Sequence, residues 1–145
     1  MRIAVIDGQG GGIGKTLVEK IRKEFADDVE IWAFGTNALA TSLMVKAGAD
    51  DGASGESAIR HSVDKVDMII GSISIIVANS MLGELTPGMA EAIASCHAPK
   101  ILLPLNRCNV HIIGKQQEPL PHMAAELIKQ LKIIYNERLK FNVRS

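Results

Sequence analysis

Short apolar runs alternate along the chain with stretches whose apolar residues recur every three or four positions, the rhythm of βα units wound around a parallel sheet. Ile3 to Asp7 reads as a buried strand. Ile13, Leu17, Val18, Ile21 and Phe25 then share one helical face, with Lys15, Glu19 and Lys23 spaced as charge pairs on the other. Val29 to Phe34 is a second strand, Gly35-Thr36-Asn37 turns the chain, and Ala38 to Ala47 is helical until Gly48 ends it. Asp51 to Ala53 predicts a short third strand, and Ser54 or Ser57 a cap for a helix running to about Lys65.

Asp67 to Gly71 predicts a strand at the sheet centre, followed by a helix from Ile75 to Leu82. Thr86-Pro87 has the cap-then-proline order of a new helix, with Met89, Ala90, Ile93 and Ala94 on its apolar face. Ile101 to Leu105 and Val110 to Ile113 read as two further strands around the turn Asn106-Arg107-Cys108-Asn109. The terminal helix carries one stripe, Leu120, Met123, Ala124, Leu127, Ile128, Leu131, Ile134 and Tyr135, suited to packing on the sheet or on a sister subunit. The expected fold is α/β, three-layered and Rossmann-like: a mostly parallel sheet of about five or six strands with helices on both faces, residues 1–145 forming one nucleotide-binding domain.

With 145 residues, the length suits one domain. Sixteen Lys and Arg balance sixteen Asp and Glu, so no net field favours nucleic acid or anionic lipid, and neither is an expected partner. Five aromatic residues are too few for base-stacking platforms. An apolar fraction of 47% at zero net charge points to a homo-oligomer. No apolar run approaches the roughly 18 residues of a membrane span, Met1-Arg2-Ile3 leads straight into a strand, and two cysteines, Cys96 and Cys108, make no disulfide framework; a cytoplasmic location is expected.

Chemistry concentrates in Asp7-Gly8-Gln9-Gly10-Gly11-Gly12-Ile13-Gly14-Lys15, with five glycines in seven residues between a strand and a helix. Such a loop turns tightly and strips away the Cβ atoms that would hold a phosphate off the amides at the helix start. Gly8, Gly12 and Gly14 fit G-x-x-x-G-x-G, which resembles the fingerprint of short-chain dehydrogenases and related Rossmann proteins. The alternatives fit less well. A Walker A loop would need glycine where Gln9 stands, and the deviant loop of ParA-like ATPases would need lysine at Gly10. The strand ending in Gly71-Ser72 also lacks the acid that holds magnesium in an NTPase.

Asp7 closes the first strand on the face of Ile3 and Val5. Its carboxylate about 5 Å from a phosphate charge would repel it by roughly 3 kcal/mol at an effective dielectric near 20. It therefore either turns to accept backbone N–H groups and stabilise the loop, or is neutralised by Lys15, Arg107 or a metal when ligand binds. The usual ribose-binding acid at the end of the second strand is missing. Thr36 and Asn37 stand there, able to contact a ribose or to turn the chain and cap the next helix. Beyond the other strand ends, Ser72, Ser74, Asn79, Asn106 and Arg107 are expected to face the same crevice, Arg107 suited to a bidentate grip on phosphate or carboxylate. The dehydrogenase Tyr-x-x-x-Lys pair is absent, since Tyr135 has Leu139 at that spacing, and Cys96-His97 with Cys108-x-x-His111 match no zinc spacing. No metal site is expected.

Taken together, IDGQGGGIGK, GTNALATS, ANSMLGELTP and ILLPLNRCN resemble, nearly end to end, the small bacterial proteins catalogued as domain of unknown function 3842. The resemblance implies a Rossmann-like fold without an assigned reaction, and one site gathering Gly8 to Lys15, Thr36-Asn37, Ser72, Asn79 and Asn106 to Asn109. Three functional expectations stand. The first is a module binding a small phosphorylated ligand, NAD or NADP or another nucleotide, through Gly8, Gln9, Gly10, Gly11, Gly12, Ile13, Gly14, Lys15, Thr36, Asn37, Ser72, Asn79, Asn106 and Arg107, in a sensory or regulatory role. The second is an enzyme using Asp7, Lys15, Arg107 or Cys108, with an oxidoreductase the least strained class. The third is an oligomeric scaffold whose glycine turn is merely compact.

Overall fold

The computed structural model describes residues 1–105, 108–114 and 118–144. Five strands form one parallel sheet in the order β3-β2-β1-β4-β5: β1 (Arg2–Asp7), β2 (Glu30–Gly35), β3 (Asp51–Ser54), β4 (Met68–Ser72) and β5 (Lys100–Leu103). Arg2 to Asp7 pair with Glu30 to Gly35 on one side, and Ile3 to Val5 pair with Met68 to Ile70 on the other. β1 and β4 are buried on both faces, which is why they read as unbroken apolar runs.

Helices cover both faces, giving three layers. On one side α1 (Gly12–Phe25), α2 (Ala38–Ala47) and α5 (Leu120–Arg144) close over Ile3, Val5, Met68 and Ile70 with Ile13, Leu17, Val18, Ile21, Met44, Met123, Leu127 and Leu131. On the other, α3 (Glu56–Ser62) and α4 (Pro87–Ser95) bring Ile59, Met89 and Ile93 against Ala4, Ile6 and Ile69. The expected stripe of α5 packs as a unit: Met123, Ala124, Leu127 and Leu131 are buried, with Leu120, Ile128, Ile134 and Tyr135 at their margin. Tyr135 meets Phe25 of α1 edge-on, ring centroids 5.2 Å apart. Among the described residues no helix is long and apolar enough to cross a membrane.

Local chemistry sets the element ends. Asn37 caps α2 by accepting from Ala40 N at 2.9 Å, and Gly48 closes it at φ 128°. Thr86 caps α4 by accepting from Met89 N, with Pro87 at its first turn. Four sequence expectations need correcting. Ile75 to Leu82 is not an α-helix: a 3₁₀ turn spans Ile73–Ile76, and beyond it Asn79, Met81 and Leu82 take φ of 65°, 57° and 56°, outside any right-handed helix. Val110 to Ile113 does not join the sheet, and Ile113 is 94% exposed. Neither Ser54 nor Ser57 caps α3, whose N-cap position is Gly55; Ser54 Oγ is instead held by Thr41 Oγ1 at 2.7 Å. Ala94 lies on the exposed side of α4.

The strand order reverses beside β1. The chain leaves β1 toward β2 and returns to β4 on the opposite side, the switch point beyond whose strand ends open α/β sheets carry their ligand crevice.

Candidate functional site

That crevice is framed by the glycine loop after β1, by Thr36-Asn37 after β2, and by the segment 73–86 after β4. The structure separates the five glycines by cause. A Cβ on Gly8 would strike Thr36 and the Met81 sulfur, and one on Gly14 would lie 2.6 Å from Met44 Sδ and 2.8 Å from Asp7 Cβ, so both are glycine for close packing. Gly11, the residue before α1, has φ 74°, a left-handed turn that a Cβ would strain. Gly10 and Gly12 have neither reason. Nothing lies within 4 Å of a Cβ on either, their φ is not positive, and both are exposed.

The backbone donors divide the same way. Asp7, only 2% exposed, accepts from Gly8 N at 2.8 Å through Oδ1 and from Gly14 N at 2.6 Å through Oδ2. These two bonds are those of its loop-stabilising reading. Gly11 N and Lys15 N donate to carbonyls within the loop, of Gly8 and Gly11. Among the described residues, the amides of Gly10, Gly12 and Ile13 have no acceptor, and they stand at the positive end of α1. Ile13 itself sends its side chain into the core.

Ser72 ends β4. Met68 and Ile70 face the α1 layer and Ile69 the opposite one, so alternation turns Ser72 toward α1. The pairing of Val5 with Ile70, continued two residues, sets Ser72 beside Asp7 beneath the first turn of α1. Its side chain is 2% exposed and, among the described residues, Oγ has no hydrogen-bond partner, an uncommon state for a buried hydroxyl that Ser74 Oγ shares two residues on.

The residue that sequence reasoning missed is Glu84. It reaches back from the segment after β4, and its Oε1 accepts from Thr36 Oγ1 at 2.6 Å, Asn37 Nδ2 at 2.6 Å and Gln9 N at 3.1 Å. The Thr36 hydroxyl foremost, then Asn37 and the Gln9 amide, hold this carboxyl below the usual glutamate range against the opposing pull of burial. Asn37 also donates to Gln9 O at 3.0 Å, so three rim segments meet at one carboxylate. Glu84 Oε2 has no partner among the described residues.

The other expected residues lie as follows. Lys15 is exposed, its Nζ 4.0 Å from Glu19. Asn79 is exposed, its amide donating to Leu85 O and its carbonyl accepting from Gly83 N, which shapes the segment after β4. Cys108 is a half-buried free thiol. Asn106 and Arg107 lie outside the described residues. Among the described residues no group of three or more His, Cys, Asp or Glu side chains could hold a metal ion. A groove of about 720 Å³ runs elsewhere, between the β5 edge and α5, lined by Leu102, Pro104, Ile112, Met123 and Leu127 among others. Glu118 and Glu126 on its walls do not match a phosphate.

The chain belongs to the family described as domain of unknown function DUF3842, whose model matches residues 2–136. No curated protein matches it. Among solved structures it is similar to a dodecameric FMN-dependent UbiX-like decarboxylase from Escherichia coli O157:H7, at 13% identity over 91% of this chain and 94% of that one, with a TM-score of 0.49.

Proposed function

We propose that this DUF3842 protein is a Rossmann-like module that binds a nucleotide or another phosphorylated metabolite at the crevice between β1 and β4. The observation that carries the reading is the pair Gly10 and Gly12. Among the described residues nothing fills the space a side chain on either would take, and the three amides of Gly10, Gly12 and Ile13 beside them have no acceptor. A ligand phosphate accounts for both, because it needs bare backbone and donates nothing itself. The Ser72 hydroxyl at the end of β4, without a partner among the described residues, supports the same place, since a ligand oxygen would satisfy it.

Asp7 tempers what can bind. Its carboxylate lies against the loop, and a like charge about 5 to 6 Å from a phosphate opposes it by roughly 3 kcal/mol at an effective dielectric near 20. A phosphodiester or pyrophosphate diester, with one charge per phosphorus, suits this site better than a terminal phosphate carrying two. Because Asp7 is committed to the loop backbone, a binding or sensing role fits the site better than chemistry on Asp7. The test is a thermal-shift series with pyrophosphate, NAD, NADP, ATP, coenzyme A and S-adenosylmethionine, on wild type and Gly12→Val. The expected result is a stabilising shift that Gly12→Val abolishes while staying folded. No shift with any compound, or an undiminished shift in the folded variant, removes the loop from function.

A further inference from the structure

We infer that Glu84 takes the part of the absent ribose-binding acid, and that it makes the site selective for a ribose with free 2′ and 3′ hydroxyls, as in an ADP-ribosyl or NAD-type ligand, over a 2′-phosphorylated one. This rests on the glycine-loop reading above and specifies its ligand. In dinucleotide-binding folds the carboxylate that accepts the ribose hydroxyls comes from the end of the second strand. Here that strand ends in Gly35-Thr36-Asn37, with no acid. Glu84 brings one to the same corner from a segment 48 residues further along the chain.

Its setting is that of a carboxylate positioned for use. Thr36, Asn37 and the Gln9 amide all converge on Oε1, which fixes the group and leaves Oε2 without a partner among the described residues. A carboxylate serving only to tie the rim together would gain by sharing its donors between both oxygens. The side chain is half-buried, so a ligand can reach it. The donors to Oε1 also keep the group ionised, so it acts as an acceptor alone: a diol can donate to it, whereas a 2′-phosphate would be repelled. Independently, the Ser72 hydroxyl at the end of β4, buried and without a partner among the described residues, marks the phosphate end of such a ligand. The crevice from Ser72 and Gly12 to Glu84 thus has a phosphate end and a hydroxyl-reading end.

Isothermal titration of wild type and Glu84→Gln with four probes tests this: ADP-ribose, its 2′-phosphorylated form, its 2′-deoxy form and inorganic pyrophosphate. In wild type, ADP-ribose should bind about tenfold or more tightly than either modified form. In Glu84→Gln both ratios should fall to within about threefold, with pyrophosphate unchanged. Equal wild-type affinities for the three ribosyl probes overturn the inference while leaving the loop reading intact, and this comparison needs no variant to fold. Glu84→Gln binding every probe more tightly, pyrophosphate included, also overturns it, since Glu84 would then be an occluding anion. Wild type binding none of the four overturns both readings.

Discussion

Asp7→Asn changes one oxygen to an amide nitrogen at a position that is 2% exposed and accepts two backbone amides. Asparagine keeps one carbonyl oxygen, so one of the bonds, from Gly8 N or from Gly14 N, can survive as a neutral bond. The other amide then faces an NH₂ group, donor against donor. Losing a charge-assisted bond costs about 1.5–3 kcal/mol, and leaving a buried donor unsatisfied adds about 1 kcal/mol, so a destabilisation of about 2–4 kcal/mol is expected. For 145 residues the unfolding entropy is about 0.3 kcal/mol per degree, which converts the loss to a Tm drop of about 7–13 °C. Urea unfolding followed by circular dichroism measures it, with an unchanged m-value confirming the same native state. A loss under about 0.5 kcal/mol would show that the carboxylate does not organise the loop, and the assignment of Asp7 to structure would fall.

The other expectations concern the glycines and acid stability. Gly14→Ala should cost about 1–3 kcal/mol in urea unfolding, since its Cβ would collide with Met44 and Asp7, whereas Gly12→Ala, in open space, should stay within about 0.5 kcal/mol of wild type; equal effects would refute the division of the loop into packing and bare glycines. Asp50, Asp67 and Glu84 all have lowered carboxyl values. Burial opposes the shift most strongly in Asp50 and Asp67, but Ile31 N with Arg22, and Arg2 N with Arg138, outweigh it; in Glu84 the Thr36 hydroxyl leads. A folded value below the unfolded one gives stability that is complete above the ordinary carboxylate range and lost as pH falls through the folded values. The urea midpoint should therefore hold between about pH 7 and 5 and decline below about pH 4, less steeply in Glu84→Gln; identical slopes in variant and wild type would deny Glu84 its share.

Where periodicity and capping residues acted together, sequence and structure agree closely. Ala38 to Ala47 lies between a polar cap and a glycine stop, and Thr86-Pro87 fixes the start of α4, because these residues decide backbone conformation locally. Ile75 to Leu82 misled for the converse reason: its apolar residues mimic a helical face, while Asn79, Met81 and Leu82 adopt left-handed conformations set by closure over Gly8 and by the Ser80 hydroxyl bonded to Ser74 O at 2.5 Å. Val110 to Ile113 shows that an apolar run without a neighbouring strand is no strand. In the site, the glycine loop and the Thr36-Asn37 turn were legible from composition and spacing. Glu84 was not, because a single acid in an irregular segment has no periodicity, and its partners at residues 9, 36 and 37 are joined to it only by the folded topology.

At the amino ends of the strands, opposite the glycine loop, Asp67 receives Arg2 N at 2.7 Å through one oxygen and Arg138 at 2.8 Å through the other. These partners lie far apart in the sequence, on a β-strand that starts the sheet and on its last helix. Neither bond can form until large loops have closed, so the junction belongs to the late, entropically demanding part of assembly. Its strength should therefore govern how quickly the native state opens far more than how quickly the chain collapses, making this carboxylate a brake on unravelling from either terminus.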